Sequence, residues 1–86
     1  MTFVKDPGEV LDYQIDWAAW LGTDTITSST WTVTGATKVA TSSLNAVTTV
    51  WVSGGTLGVP ARATNTVVTA GGRTGVRSVD ISIEAK

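Results

Sequence analysis

Between Leu11 and Leu21 the apolar residues change their period, and that change limits the chain more than any other feature. Leu11, Tyr13, Ile15 and Trp17 alternate with Asp12, Gln14 and Asp16, the pattern of a strand with one greasy and one wet face. Trp17, Trp20 and Leu21 then stand at i, i+3 and i+4, which gathers them on one side of a single helical turn. Gly22 ends that turn, and Gly22-Thr23-Asp24 leads into the next strand. Two of the four tryptophans of the chain fall in this turn. They are expected to plug one end of the core, with the other strands assembled around the plug. The amphipathic spacing, with no basic cluster nearby, favours a core corner over a platform for stacking sugars or bases.

The rest of the composition agrees with a small all-β domain. Threonine is the commonest residue and valine the second, both β-branched, whereas the helix formers Leu, Glu, Lys and Gln are scarce. At 86 residues the chain is one domain, of a size at which a core alone gives marginal stability and contact with other chains helps. With no cysteine, disulfides, thiolate nucleophiles and zinc–thiolate sites are excluded. With no histidine, the commonest general base and transition-metal ligand is missing too. The net charge is −1, only 15% of residues are charged, and the six Lys and Arg are scattered, so no nucleic-acid partner is expected. The N-terminus carries Lys5 and Asp6 and no apolar run, which argues against a signal peptide or a membrane span.

Taken in order, residues 1–9 read as an N-terminal arm and residues 10–86 as a single β-sandwich domain. Asp6-Pro7-Gly8 is a turn signal. Phe3 and Val4 precede the first convincing strand, so they either pair along a sheet edge or dock onto a neighbour. Removal of residues 1–6 is then expected to spare the fold and reduce assembly. A strand from about Thr25 to Thr34 needs a bulge near Ser28 and Ser29 to keep Ile26, Trp31 and Val33 on one side. Residues 37–46 read as a weak pair of segments, a small edge hairpin or a crossover. From Val47 to Ser53 the alternation assigns Val50 and Val52 to the core and Trp51 to the outside, with the reverse parity as the alternative. Val59 to Thr69 puts Asn65 on the apolar face, where its amide is expected to satisfy backbone groups. Ala70 to Gly75 reads as a hairpin loop, and Arg77, Val79, Ile81 and Ile83 mark the last strand. Some seven short strands at near-regular spacing point to a two-layer sandwich.

Little chemistry is available to such a chain. Asp12 and Asp16 share one strand face but lie roughly 13 Å apart when extended, too far for a retaining carboxylate pair. A calcium site from Asp12, Asp16 and Asp24 matches no loop spacing, and solvated surface charge is the simpler reading. Every Ser and Thr lacks a histidine partner, and no nucleophile motif is present. The residues therefore indicate no catalytic, cofactor-binding or metal site. Arg73, in a Gly-rich loop, either reaches a partner's carboxylate or closes the loop on its own carbonyls.

The runs Asp6-Pro7, Glu9-Val10-Leu11-Asp12-Tyr13, Asp16-Trp17, Trp20-Leu21, Asp24-Thr25-Ile26 and Ser29-Thr30-Trp31-Thr32-Val33 resemble small tailed-phage proteins encoded among virion morphogenesis genes, often labelled fibre–tail adaptor or neck proteins. Thr49-Val50-Trp51-Val52-Ser53-Gly54-Gly55-Thr56, Asn65-Thr66, Thr69-Ala70-Gly71-Gly72-Arg73-Thr74 and Arg77-Ser78 are similar to the second half of the same family. One departure is Pro60-Ala61, where a larger, often aromatic residue is expected. The resemblance implies an immunoglobulin-like sandwich, a place in the virion and no catalysis.

The leading expectation is thus a structural adaptor of a tailed phage, repeated by virion symmetry as a homo-oligomer and touching other virion proteins. Its candidate interface residues are Phe3, Val4, Trp51 and Arg73. The alternatives are a capsid decoration protein, or a carbohydrate-binding or adhesion module that uses Trp51 as a stacking platform.

Overall fold

The computed structural model describes residues 2–85; Met1 and Lys86, the outermost residues of the expected arm and domain, lie outside the described residues. The elements are β1 (Thr2–Lys5), β2 (Leu11–Asp16), α1 (Ala18–Leu21), β3 (Ile26–Thr34), β4 (Thr37–Leu44), β5 (Val47–Ser53), β6 (Ala61–Thr69) and β7 (Thr74–Ile83). They form two facing sheets, one ordered β1-β7-β6-β3 and the other β2-β5-β4. All neighbouring strands are antiparallel except β1, which runs parallel to β7. The all-β sandwich is therefore the fold, and it carries the short helical turn where the period changes.

The core lies between the sheets and follows the alternation. Tyr13 and Ile15 of β2, Val50 and Val52 of β5, Ala61, Ala63 and Val67 of β6, and Val79, Ile81 and Ile83 of β7 are all buried. Val50 and Val52 point inward and Trp51 outward, as the preferred parity had it. In β3 the ladder to β6 slips between Ile26 and Ser28, one residue earlier than the expected bulge. The slip brings Ile26, Ser29, Trp31 and Val33 to the inner side. Where β3 turns into β4, the backbone of Gly35 lies against β6: a Cβ there would come within 2.6 Å of the Pro60 carbonyl oxygen and 3.3 Å of the Ala61 Cβ. Ala61, at the expected departure Pro60-Ala61, is buried in the core beside this close approach.

Two stretches differ from the sequence reading. The segment read as an arm takes the first of its two expected courses, pairing along a sheet edge, but as a strand of the domain itself: Thr2 to Lys5 pair with Asp80 to Ile83. Lys5 is fully buried, and its ammonium donates to the carbonyls of Gly54 at 2.6 Å and Asp6 at 2.9 Å. The turn after it is built as the residues imply, with Glu9 N–H on the Asp6 carbonyl at 3.0 Å and Gly8 N–H on Asp6 Oδ1 at 2.8 Å. Removing residues 1–6 would strip an element of the sheet, so the deletion is a test of stability rather than of assembly alone. The second difference is at residues 37–44, which form one continuous edge strand rather than a pair of segments. All eight of its side chains are exposed, so it has no core period to read.

Candidate interaction surfaces

The pole that carries α1 is closed by side chains that the sequence placed apart. Trp17 and Leu21 are buried, and Trp20 packs against them with its ring centroid 5.2 Å from that of Trp17, edge to face. The turn is started by Asp16, whose Oδ1 accepts the Ala18 N–H at 2.9 Å, and Trp17 N–H is fixed on the Ala46 carbonyl at 2.8 Å. A helix this short satisfies few of its own carbonyls; among the described residues only Leu21 O, of its last two, gains a main-chain donor, the Asp24 N–H at 3.0 Å. Arg73 adds donors from the β6–β7 hairpin: Nη1 donates to Trp20 O at 3.1 Å and Nη2 to Leu21 O at 2.9 Å. Its Nε donates to Asp24 Oδ2 at 3.1 Å while the guanidinium carbon lies 4.4 Å from the Trp20 ring centre. Arg77 covers Trp17 in the same way at 4.5 Å. Arg73 thus closes neither its own loop nor, in this chain alone, a partner's carboxylate.

The surroundings of Asp24 shift its carboxyl strongly. Its pKa falls from 3.8 to about 2, chiefly through a hydrogen bond from the Thr69 hydroxyl. The N–H groups of Thr25 and Gly71 and the Arg73 guanidinium act in the same direction, against desolvation. Gly75, expected in the hairpin loop, is instead the second residue of β7 and is buried under both indoles. A Cβ there would meet Trp17 Cζ3 at 2.7 Å and Trp20 Cη2 at 2.9 Å.

Below the plug runs a polar bridge between the sheets, buried at Trp17, Thr48 and Asn65. Trp17 Nε1 donates to Asn65 Oδ1 at 3.0 Å and to Thr48 Oγ1 at 3.2 Å, and Thr48 Oγ1 donates to Asn65 Oδ1 at 2.7 Å. The Asn65 amide nitrogen donates to Ser29 Oγ at 2.9 Å and to the Thr30 carbonyl at 3.1 Å. The expected role of Asn65 is therefore corrected: one backbone group is satisfied, and the other partners are side chains. The bridge ties the start of α1 to β3, β5 and β6.

Among the described residues no three Asp or Glu side chains gather as a cation site, and no helix is long and apolar enough to cross a membrane. Tyr13 has a hydroxyl buried without a partner and a pKa raised by desolvation and by the charges of Glu9 and Asp12, the opposite of an activated nucleophile.

Exposed apolar side chains sit on the edge strands β1 and β4, in the loops at Val10, Leu57 and Val59, and on the outer face of β6 and β7 at Val68 and Val76. Phe3 and Val4, 38% and 48% exposed, line a groove with Leu11, Asp12, Tyr13 and Gln14, where the free edges of β1 and β2 face each other. The Phe3 and Tyr13 ring centres are 5.1 Å apart. Trp51 is half-buried on the outer face of β2-β5-β4, in a shallow depression with Gln14, Asp16, Leu44, Asn45 and Thr49. The residues singled out from the sequence therefore do not form one site. Phe3 and Val4 are together, Trp51 lies on the outer face of the other sheet, and Arg73 belongs to the clamped pole. Val39 and Leu44, the large apolar residues of the stretch read from the sequence as a weak edge, are both exposed on β4.

The fold and its surfaces define an all-β sandwich whose accessible features are edges and apolar strips. Residues 5–82 match the sequence model of the podophage GP4 fiber-tail adaptor protein family, gp77, and the chain belongs to that family. Membership makes it a structural adaptor of the phage virion. Comparison with curated proteins finds no match.

Proposed function

We propose that this chain holds neighbouring virion proteins together at the neck or tail of a tailed bacteriophage, where fibres attach, through its sheet edges and its N-terminal strand. The observation that carries the reading is the groove between β1 and β2, where Phe3 and Val4 stay exposed although β1 is fixed in the sheet. Clustered apolar residues at a free edge suit a protein partner. The strand order, with β2-β5-β4 in one layer and β3-β6-β7 in the other, supports an immunoglobulin-like sandwich. Other virion proteins are the partners; catalysis, cofactors, nucleic acid and membranes have no part in this reading. Arg73 leaves the set of interface residues, because its guanidinium is already engaged on α1 and Asp24.

Val4→Asp tests the proposal. Val4 is half-exposed, so the purified variant should melt within about 0.5 kcal/mol of the parent. Particles assembled with it should lack the chain in mass spectra of purified virions. Normal incorporation would refute the role of this edge. A second reading, adhesion to glycans, rests on Trp51 lying in a depression beside Gln14 and Asp16. A glycan array that stays silent with the parent chain removes it.

A further inference from the structure

We infer that β4 pairs with β4 of a second copy of this chain, joining two β2-β5-β4 sheets into one six-stranded sheet across a two-fold axis at Ser42. Open sheet edges are normally guarded by charge, proline or brevity. β4 is eight residues long, contains no proline and is exposed throughout. Between Thr25 and Ala61 the only charged residue is Lys38, and its ammonium is turned across to the Trp31 carbonyl at 3.1 Å. The β4 ladder slips between Lys38 and Ala40, which leaves Ala40 to Leu44 as the regular part of the edge. The other free edge of this sheet, β2, carries Asp12 and Asp16 on its outer face.

The register decides the partner. Ala40 lies opposite Trp51, Ser42 opposite Thr49 and Leu44 opposite Val47, all on the outer face. An antiparallel copy centred on Ser42 sets each Ala40 against the other chain's Leu44, and Ser42 against Ser42. On the outer face the row then reads Trp51, Ala40, the copy's Leu44, the copy's Val47, a continuous apolar strip made twice by the symmetry. It covers Leu44, which is 74% exposed in the single chain. Acidic residues fall only at the ends of the strip, because Asp12 and Asp16 are the β2 partners of Trp51 and Val47. On the inner face Thr41 meets Ser43, beside the uncharged hydroxyls of Ser28 and Ser29.

The backbone agrees. Asn45-Ala46 is a two-residue turn closing on Leu44 and Val47. Such a turn closes on a pair that exchanges both main-chain hydrogen bonds, so Leu44 and Ser42 face β5 and Thr41 and Ser43 keep theirs at the open edge. In the Ser42-centred pairing those free groups meet each other. A self-complementary patch of this kind is the requirement for a closed two-fold contact.

The inference stands apart from the virion reading, since it is read from the purified chain and the other from particles. Light scattering of the parent chain should show a monomer–dimer equilibrium. Ser42 would lie opposite itself in a pair that does not exchange main-chain hydrogen bonds, with Cα atoms about 4.5 Å apart, within the range that a disulfide spans. The chain has no cysteine, so S42C should cross-link under mild oxidation and L57C, also exposed, should not. S42K and S42D should each abolish the dimer, and an equimolar mixture of the two should restore it. A parent chain that stays monomeric at every concentration overturns the inference. So does a dimer that S42K leaves intact, or L57C cross-linking as fast as S42C.

Discussion

The α1 pole and the β4 edge are made from the same chain under opposite rules. At the pole, two indoles, two guanidinium groups, a carboxylate and a buried amide satisfy one another, and Gly75 is kept small to admit the rings. At the edge, eight consecutive side chains touch solvent and a single lysine carries all the charge. The first region spends its residues on holding the sandwich shut, and the second leaves main-chain groups and apolar side chains free. Stability and association are thus separated in space, which lets an assembly module change partners at its edges without loosening its core.

If that division is right, the largest loss should come from the pole. Trp17→Ala removes a buried ring and the indole donor shared by Asn65 and Thr48, and should cost about 4 kcal/mol in urea unfolding. A cost below about 1 kcal/mol would mean that the plug does not organise the core. Gly75→Ala should follow at about 1–3 kcal/mol, because the new methyl must displace one of two rings that are themselves pinned by Arg73 and Arg77. A thermal melt at neutral pH checks it, and an unchanged midpoint would show that the indoles have room to move.

The same division explains what the residues disclosed before the structure. Strands with one buried face were legible: the alternation of β2, β6 and β7 and the two inward valines of β5 were written in period two, and the change to helical spacing located α1. The bulge in β3 was required by the parity of Ile26 against Trp31 and appeared one residue away. Elements held by something other than an apolar face were not legible. β4 has no buried side chain at all, so its eight residues looked like two weak pieces. β1 is secured by ladder bonds and by a lysine drawn inside to two carbonyls, and a charged residue next to Asp-Pro-Gly reads as exposed. Arg73 and Asn65 were singled out, yet their partners come from other elements, and spacing along the chain cannot name contacts made across the sandwich. The exposure of Phe3 and Val4 and the outward side of Trp51 were readable, and the low charge of residues 37–46 marked an edge open to pairing.

A smaller effect is expected at Asp24, and its sign follows from the shift. The folded carboxyl ionises at about 2, below its ordinary value of 3.8, so the stability it contributes is present above about pH 4 and is lost as the pH falls through about 2. Asp24→Asn cannot be charged and loses the pairing with Arg73 at every pH. The gap in melting temperature between parent and variant should therefore be widest above about pH 4 and narrow steadily toward about pH 2. A gap that stays constant over that range would mean that Asp24 holds Gly71 and Thr25 by hydrogen bonds alone, without its charge.

The smallest effect should come from the most conspicuous apolar side chain. Leu44 ends β4 and is 74% exposed, so little apolar surface is removed from water when the single chain folds. Leu44→Ser also leaves the two-residue turn at Asn45-Ala46 untouched, since that geometry depends on the turn residues. In urea unfolding at concentrations where the chain is monomeric, the exchange should shift stability by no more than about 0.5 kcal/mol. A loss of about 2 kcal/mol or more would mean that Leu44 contributes to the closed part of the molecule, and the contrast between pole and edge would fail there. At higher concentrations the same variant should lose dimer, because each Leu44 would cover Ala40 and Trp51 of the other chain. A leucine that matters to association and not to folding is what an edge kept free for a partner requires.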